Sequence, residues 1–359
     1  MNPYSKEIYD NIPVIIPSYE PDKSLIILCE ELIKAGIKNV IVLDDGSGEE
    51  YRGIFDTIQK KYNYTILRHA VNLGKGRALK EAFNYALNKN SGILGVVTAD
   101  SDGQHTPEDI IHCMEALVNH PGSLILGCRE FKGRDIPWKS KVGNELTKKV
   151  CGYLCGIKIS DTQTGLRGIP NTFMKELLSV SGERFDFETN MLIACKEHVS
   201  ITEIPIKTVY DSKTDHRTHF DPIRDSVRIY KIFGKIFMKY IFSSISSCIL
   251  DLWLFALFCN IAREEDNFSY VIKATISARV VSAVYNYLIN YIFVFKSRKN
   301  KFVAMVKYFL LVMIQMSVSA LLVLGGVKII RGIPEVYIKA VIDTVLFFLN
   351  YMLQQRFIF

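Results

Sequence analysis

The chain has 359 residues, 49% hydrophobic and 23% charged, with a formal net charge of +7. The first 235 residues are formally neutral, so the whole excess lies in the remainder, beside long apolar segments, where basic residues flank a membrane and do not mark a nucleic-acid surface. Eight scattered cysteines without a Cys-x-x-Cys pair argue against a disulfide framework or a zinc ribbon, and the one-turn spacing of Cys151 and Cys155 reads as a packed helix face.

Met1 to Glu7 lack the apolar core of a signal peptide, so the first half is expected in the cytosol with reduced thiols. Val14-Ile15-Ile16, between Pro13 and Pro17, predicts a short strand that leaves through Ser18-Tyr19-Glu20-Pro21. Asp22 then caps a helix with Leu25, Leu28, Leu32 and Ile33 on one stripe and Gly36 closing it. Val40 to Leu43 is a second strand, ending in Asp44-Asp45-Gly46-Ser47. A helix over 49–61, a strand over 64–67 and a helix over 74–87 follow. Ile93 to Val97 reads as a buried strand that stops at Asp100-Ser101-Asp102-Gly103-Gln104-His105, and Thr106-Pro107 opens the next helix. Leu124 to Gly127 is a fifth strand, with Cys128-Arg129-Glu130 at its exit. Strands alternating with helices predict an α/β fold with a mostly parallel sheet covered on both faces. Ligands bind beyond the carboxyl ends of such strands, the edge where the loops at Ser18, Asp44 and Asp100 all fall.

Two carboxylates at i, i+2, Asp100 and Asp102, are hard oxygen ligands suited to Mg²⁺ or Mn²⁺ holding a diphosphate, although the same peptide taken alone would pass as a solvated turn. Asn72-Leu73-Gly74-Lys75-Gly76-Arg77 opens a helix with two glycines and two cations, a composition that lets backbone amides and a lysine approach an anion. It lacks the spacing of a nucleotide-hydrolase P-loop, and small residues at a helix start are the alternative explanation. His105 is as well explained by structure as by function.

Together these blocks resemble the inverting family 2 glycosyltransferases. The resemblance rests on Ile15 to Glu20, Leu43 to Ser47, Asn72 to Gly76, Asp100 to His105, Leu126 to Arg129, Ser160-Asp161-Thr162-Gln163-Thr164-Gly165-Leu166-Arg167 and Arg184-Phe185-Asp186-Phe187-Glu188. Glu203-Ile204-Pro205-Ile206 and Arg217-Thr218-His219-Phe220 are similar to the branch that loads a polyprenyl phosphate, as dolichyl-phosphate mannose synthases do. The similarity spans 12–232, and Ser101 departs from the commoner alanine without touching either carboxylate.

The resemblance implies a GT-A fold. Pro17, Tyr19, Glu20 and Asp44 would lie along the base and ribose of a UDP- or GDP-linked sugar, with Lys75 near its phosphates or base. Asp100, Asp102 and Gln104 would hold the metal, with Asp102 in the catalytic group. Arg129 and Arg217 look like clamps for acceptor or donor phosphates, a task suited to the planar guanidinium. A surface pair of Arg129 with Glu130 or Asp135 is the competing explanation. Asp161 is a candidate general base, yet a phosphate monoester with its second pKa near ~6 is already an anionic nucleophile at neutral pH. Orienting the sugar or a cation, or capping the turn before Thr162, are then its alternatives.

The second half begins with an amphipathic segment, 221–240, in which Arg224, Arg228, Lys231 and Lys235 alternate with Ile223, Val227, Tyr230 and Phe233. Apolar segments at 236–261, 269–295, 303–330 and 334–354 each reach the length needed to cross a bilayer. Basic residues gather so as to place the N-terminus, the 296–301 loop and the C-terminus in the cytosol. Asp251 or Asp343 with Arg279 would make a costly intramembrane pair, structural or lipid-phosphate binding. Asn286-Tyr287-Leu288-Ile289-Asn290-Tyr291-Ile292-Phe293-Val294-Phe295 has an echo in Asn350-Tyr351…Arg356-Phe357-Ile358-Phe359, which suggests two related helix pairs, and the layout resembles the GtrA-like four-helix membrane family.

The chain therefore reads as a glycosyltransferase domain (1–220), a juxtamembrane segment (221–240) and a transmembrane domain (241–359). Its expected partners are a nucleotide sugar, a polyprenyl phosphate and membrane lipid, with homo-oligomerisation left open. A lipid-linked-sugar transporter or scramblase is one competing class, and no energy-coupling motif supports it. A polysaccharide synthase is another, and the Gln-x-x-Arg-Trp motif of that group is missing because neither Trp138 nor Trp253 follows an arginine.

Overall fold

The computed structural model describes residues 10–89, 92–129, 138–207, 224–261, 269–297, 299–329 and 335–359. The chain divides into two compact units, one of Met1–Gly152 and Ile157–Lys231, the other of Tyr153–Gly156 and Ile232–Phe359.

The first unit is built on seven strands: β1 (Val14–Ser18), β2 (Val40–Asp44), β3 (Thr65–Arg68), β4 (Gly95–Thr98), β5 (Ser123–Arg129), β6 (Arg167–Pro170) and β7 (Ser200–Ile206). They lie in the order β3-β2-β1-β4-β6-β5-β7. All pairings are parallel except those of β6, which runs antiparallel to both β4 and β5. Every residue of β1, β2 and β4 is buried, as expected of parallel strands with a helical layer on each face.

Helices α1 (Lys23–Lys34), α2 (Arg52–Tyr62) and α4 (Pro107–Asn119) cover one face, where Leu25, Leu28, Phe55, Ile58, Ile110 and Met114 pack with Val14, Ile16, Val40 and Val42. Helix α3 (Lys75–Lys89) lies against β1 and β2 and touches α6 (Asn171–Leu177) and α7 (Asp186–His198). Helix α5 (Trp138–Leu154) precedes β6. The predicted caps are present: Ser24 N donates to Asp22 Oδ1 at 2.8 Å and Asp109 N donates to Thr106 Oγ1 at 3.2 Å. Sheet order reverses at β1, with β2 on one side and β4 on the other, so a crevice opens beyond their carboxyl ends. This is the mostly parallel, Rossmann-like GT-A arrangement.

The second unit contains α8 (Arg224–Ile261) from Ile232 onward, α9 (Ser269–Ile289), α10 (Lys301–Ile329) and α11 (Glu335–Leu353). Residues 224–240 are the first turns of the single 38-residue helix α8, with no break between the amphipathic and apolar stretches. Two of the helices are long and apolar enough to cross a membrane among the described residues, Ser226–Ile261 and Lys301–Gly326. The other two carry ionisable residues, among them Lys273 and Arg279 in α9 and Asp343 in α11. Asp251 takes Arg279 as its partner at 3.3 Å, while Asp343 accepts from Ser319 Oγ at 2.6 Å.

The sequence echo has a structural counterpart. Both copies end in a π-helical turn, Asn290–Val294 and Gln354–Ile358, closed by Phe295 N to Asn290 O and Phe359 N to Gln354 O. The two terminal phenylalanines stack at 4.9 Å, and Asn290 Nδ2 donates to Gln354 Oε1 at 3.1 Å. Tyr308 OH bonds to Asn286 Oδ1, as Asn350 Nδ2 does to Tyr240 OH, so an asparagine of each pair bonds a tyrosine of the other.

Candidate active site

The carboxyl ends of β1, β2, β4 and β5 border a cleft of about 740 Å³ within the first unit. Pro17, Tyr19, Lys75, Asp100, Asp102 and Arg129 line it, together with Asp45, Arg184, Phe185 and Glu188. Glu20, Asp44, Gln104 and Asp161 are not lining residues, and Arg217 lies outside the described residues.

The two aspartates ending β2 have different environments. Asp44 is turned inward, accepting from Ser47 N at 2.8 Å and pairing with Arg68 Nε at 3.0 Å. Asp45 reaches the cleft wall and accepts from Leu73 N at 2.9 Å and Gly74 N at 2.8 Å, with His69 Nδ1 at 2.7 Å. The anion met by the amides ahead of α3 is thus the chain's own Asp45. Gly74 and Gly76 serve a second need, because a Cβ at either would fall 2.5 Å from Glu183 O or from Phe187 Cβ, respectively. Glu20 adopts a left-handed backbone, φ +47°, where its N–H donates to Ser47 Oγ at 2.9 Å. Such a conformation costs on the order of 1 kcal/mol in a non-glycine residue and presses the Ser18–Pro21 loop against the Asp44 turn. Burial and a side-chain bond to Glu20 shift the neighbouring Tyr19 phenol above its ordinary range, the bond being the larger cause.

Asp100 and Asp102 leave β4 side by side. Asp100 Oδ1 receives Lys75 Nζ at 2.7 Å and Oδ2 lies 3.4 Å from His105 Nε2. Burial works to raise the Asp100 pKa, but the charges of Lys75 and His105 outweigh it and hold this carboxyl far below the usual range. The Lys75 ammonium shows the converse, burial lowering its pKa less than Asp100 and Glu188 raise it. Asp102 is shifted upward, first by burial and then by the Asp100 charge, while Gln104 N donates to its Oδ1 at 3.1 Å. An aspartate pair in which one partner resists ionisation fits a divalent cation, whose charge would remove that resistance. Among the described residues no group of three or more His, Cys, Asp and Glu converges. Asp100 and Asp102 are hard oxygen donors, the kind a Mg²⁺-type ion takes when one or two carboxylates share it with water and substrate phosphates.

Arg129 pairs with Asp161, Nε to Oδ2 at 2.6 Å and Nη2 to Oδ1 at 3.0 Å, and Gln163 N also donates to Oδ1 at 3.0 Å. Asp161 is 1% exposed. Its oxygens are thus committed to orienting Arg129, while Arg129 reaches the cleft. Glu130 and Asp135, the surface partners considered above, lie outside the described residues. Arg129→Lys keeps the charge and loses the two-pronged contact, so transfer should fall about ten-fold or more and stability by about 1–2 kcal/mol. Steady-state rates beside thermal unfolding check this, and normal turnover would reduce Arg129 to a structural residue.

Glu188 had no individual role in the sequence reading. Its carboxylate stands 3.1 Å from Lys75 Nζ and 3.8 Å from the buried Arg167, so it closes a chain of charges running to Asp100. In sequence it is one of the acids in the first turn of α7, where acids ordinarily complement the helix dipole.

Alternating α/β order, a reversal at β1 and an acidic pair beyond β4 are the features that the resemblance to the GT-A fold led one to expect. Residues 14–178 match the family described as glycosyl transferase family 2, and residues 238–359 match the GtrA/DPMS transmembrane domain. Residues 14–178 are therefore a family 2 glycosyltransferase domain and residues 238–359 a GtrA/DPMS transmembrane domain, which makes this a membrane protein. It is 28% identical over 219 residues to the UDP-N-acetylglucosamine–dolichyl-phosphate N-acetylglucosaminyltransferase of Methanococcus voltae, covering 55% of this chain and 86% of that protein. It is 26% identical over 298 residues to the dolichol-phosphate mannosyltransferase of Pyrococcus furiosus, covering 79% and 81%. An uncharacterized protein of Methanocaldococcus jannaschii is 27% identical over 238 residues, covering 65% and 93%.

Proposed function

We propose that this enzyme transfers one sugar from a UDP- or GDP-linked donor to a polyprenyl phosphate at the cytosolic face of the cell membrane, with inversion at the anomeric carbon. The observation that carries this reading is the Asp100–Asp102 pair facing the same cleft as Arg129, in a chain whose relatives are named for transfer to dolichyl phosphates.

In this reading a phosphate oxygen of the acceptor forms the new bond to the sugar's anomeric carbon, and the bond to the nucleoside diphosphate breaks on the opposite face. The attacking group is already anionic at neutral pH, so no side chain need remove a proton. Asp161, held by Arg129, is accordingly a positioning residue and not a base. Arg129 binds and orients a phosphate, with Arg217 a second clamp proposed on sequence grounds. Pro17 and Tyr19 flank the nucleoside, with Glu20 and Asp44 shaping that wall from behind. Asp100 and Asp102, with Gln104 beside them, would hold Mg²⁺ or Mn²⁺, and the ion would supply positive charge to the departing diphosphate. The test is to incubate membranes containing the protein with a panel of radiolabelled UDP- and GDP-sugars and polyprenyl phosphate, then extract lipid. Label in the lipid phase from one donor is expected, and none from any donor would overturn the reading.

The distribution of basic residues favours four crossings with both termini and the 296–301 loop in the cytosol. Single cysteines at Ser297 and Asn267, in a background without the native thiols, should label from opposite sides of sealed vesicles. Labelling from the same side would contradict this topology.

A further inference from the structure

We infer that Glu188 is a positioning residue that keeps Lys75 in the cleft when a divalent cation takes the lysine's place on Asp100. The inference rests on the metal reading of Asp100 given above. Lys75 Nζ stands 2.7 Å from Asp100 Oδ1 and 3.1 Å from Glu188 Oε1, so two carboxylates share one ammonium. The Lys75 side chain is only 18% exposed. A cation bound to Asp100 would meet this ammonium on the same carboxylate, and the repulsion between them, strong where water is scarce, must move one of the two. The lysine is the one able to move, because its compact charge sits on a flexible stem.

Glu188 sets where it goes. Arg167, itself 1% exposed, anchors this residue from behind by donating from Nη1 to Glu188 O at 3.0 Å, with Nη2 3.8 Å from Oε1. Arg167 is fixed in turn by Nε donating to Thr164 O at 3.0 Å. The Phe185 ring lies 5.8 Å from the ammonium. Lys75 can therefore turn from Asp100 onto Glu188 without leaving the cleft, and no buried carboxylate is stranded, since the incoming ion replaces the lysine on Asp100. The ammonium then remains beside the ion, where the donor's phosphates would lie, and adds to the charge that holds them. Before the ion arrives the same lysine screens Asp100, so the empty site is not two bare carboxylates.

This arrangement predicts opposite signs for its two members. Lys75→Met removes a competitor and should tighten Mn²⁺ about ten-fold. Glu188→Gln leaves Lys75 with Asp100 alone and should weaken Mn²⁺ by about the same factor. Glu188 also attracts the ion directly, so the decisive comparison is Glu188→Gln in the Lys75→Met background, where the loss should shrink to about three-fold or less. The experiment is a Mn²⁺ titration of the full-length purified protein followed by electron paramagnetic resonance, with thermal unfolding to show each variant folded. Variants are compared with Mn²⁺ alone, where Lys75→Met loses no phosphate contact, and the unaltered protein is also titrated with UDP or GDP present; binding of Mn²⁺ only in the presence of a nucleotide would overturn the inference. Equal losses from Glu188→Gln in both backgrounds, or unchanged or weaker binding in Lys75→Met, would overturn the inference. Failure of the unaltered protein to bind Mn²⁺ in any of these conditions would overturn the metal reading itself.

Discussion

Asp102→Asn should slow sugar transfer about a thousand-fold, roughly 4 kcal/mol of transition-state stabilisation, while the protein stays folded. The substitution keeps the shape of the side chain and removes one of the two charges that would bind the ion. Its effect on stability has the opposite sign. Burial and the Asp100 charge raise the Asp102 pKa in the folded state, so the unfolded chain gives up that proton more readily. A carboxyl shifted in this direction takes stability away as pH rises from its unfolded pKa through its folded one. Without metal, Asp102→Asn should therefore unfold at or slightly above the temperature of the unaltered protein. Added Mn²⁺ should raise Tm of the unaltered protein and leave the variant unmoved. Transfer at full rate in EDTA, or a variant as active as its parent, would remove the metal from the account.

Gly165→Ala should have the next largest effect, a loss of about a hundred-fold in transfer, from a residue that carries no functional group. A Cβ at Gly165 would overlap the carboxylate of Asp100. The backbone cannot easily withdraw, because Thr98 Oγ1 donates to Gly165 O at 2.8 Å and Gly127 N donates to Leu166 O at 2.9 Å, tying this stretch to β4 and β5. The carboxylate must then turn away from Lys75 and His105, which spoils the metal site at little cost to the core. Activity measured beside circular dichroism and Tm checks this: a folded, inactive variant is expected. Full activity would show that the site tolerates a displaced Asp100.

The first five strands were legible because each is an apolar run ended by a polar loop, and the caps at Asp22 and Thr106 gave the helix starts. β6 was not, since Arg167-Gly168-Ile169-Pro170 has neither an apolar run nor alternation. Its buried position follows from pairing on both sides, with Arg167 satisfied by Thr164 O and Glu188 O, and no local pattern reports such partners. β7 carries Ile201, Ile204 and Ile206, but only the last two keep a spacing of two, and Pro205 between them argues against a strand interior.

At the site, carboxylates could be picked out from sequence by their place after a strand, but their partners could not. Asp44 and Asp45 are adjacent and chemically identical, yet only the fold shows that Asp45 faces the cleft while Asp44 pairs with Arg68. Asp161 and Arg129 are 32 residues apart and meet because β5 and the segment before β6 run side by side. Spacing along the chain holds no record of such a meeting. In the membrane unit the repeated Asn-Tyr pattern marked Asn286, Asn290 and Asn350, but their partners Tyr308, Gln354 and Tyr240 stand outside it and only the fold brings them together.

The most direct test of the account is the identity of the lipid product. Purified protein in detergent with polyprenyl phosphate, Mn²⁺ and the donor selected from the panel should yield, by mass spectrometry, one species: the polyprenyl monophosphate carrying a single sugar. Asp102→Asn, run beside it, should yield almost none. A lipid diphosphate, a ladder of several sugars, or equal product from Asp102→Asn would contradict single-sugar transfer by this site.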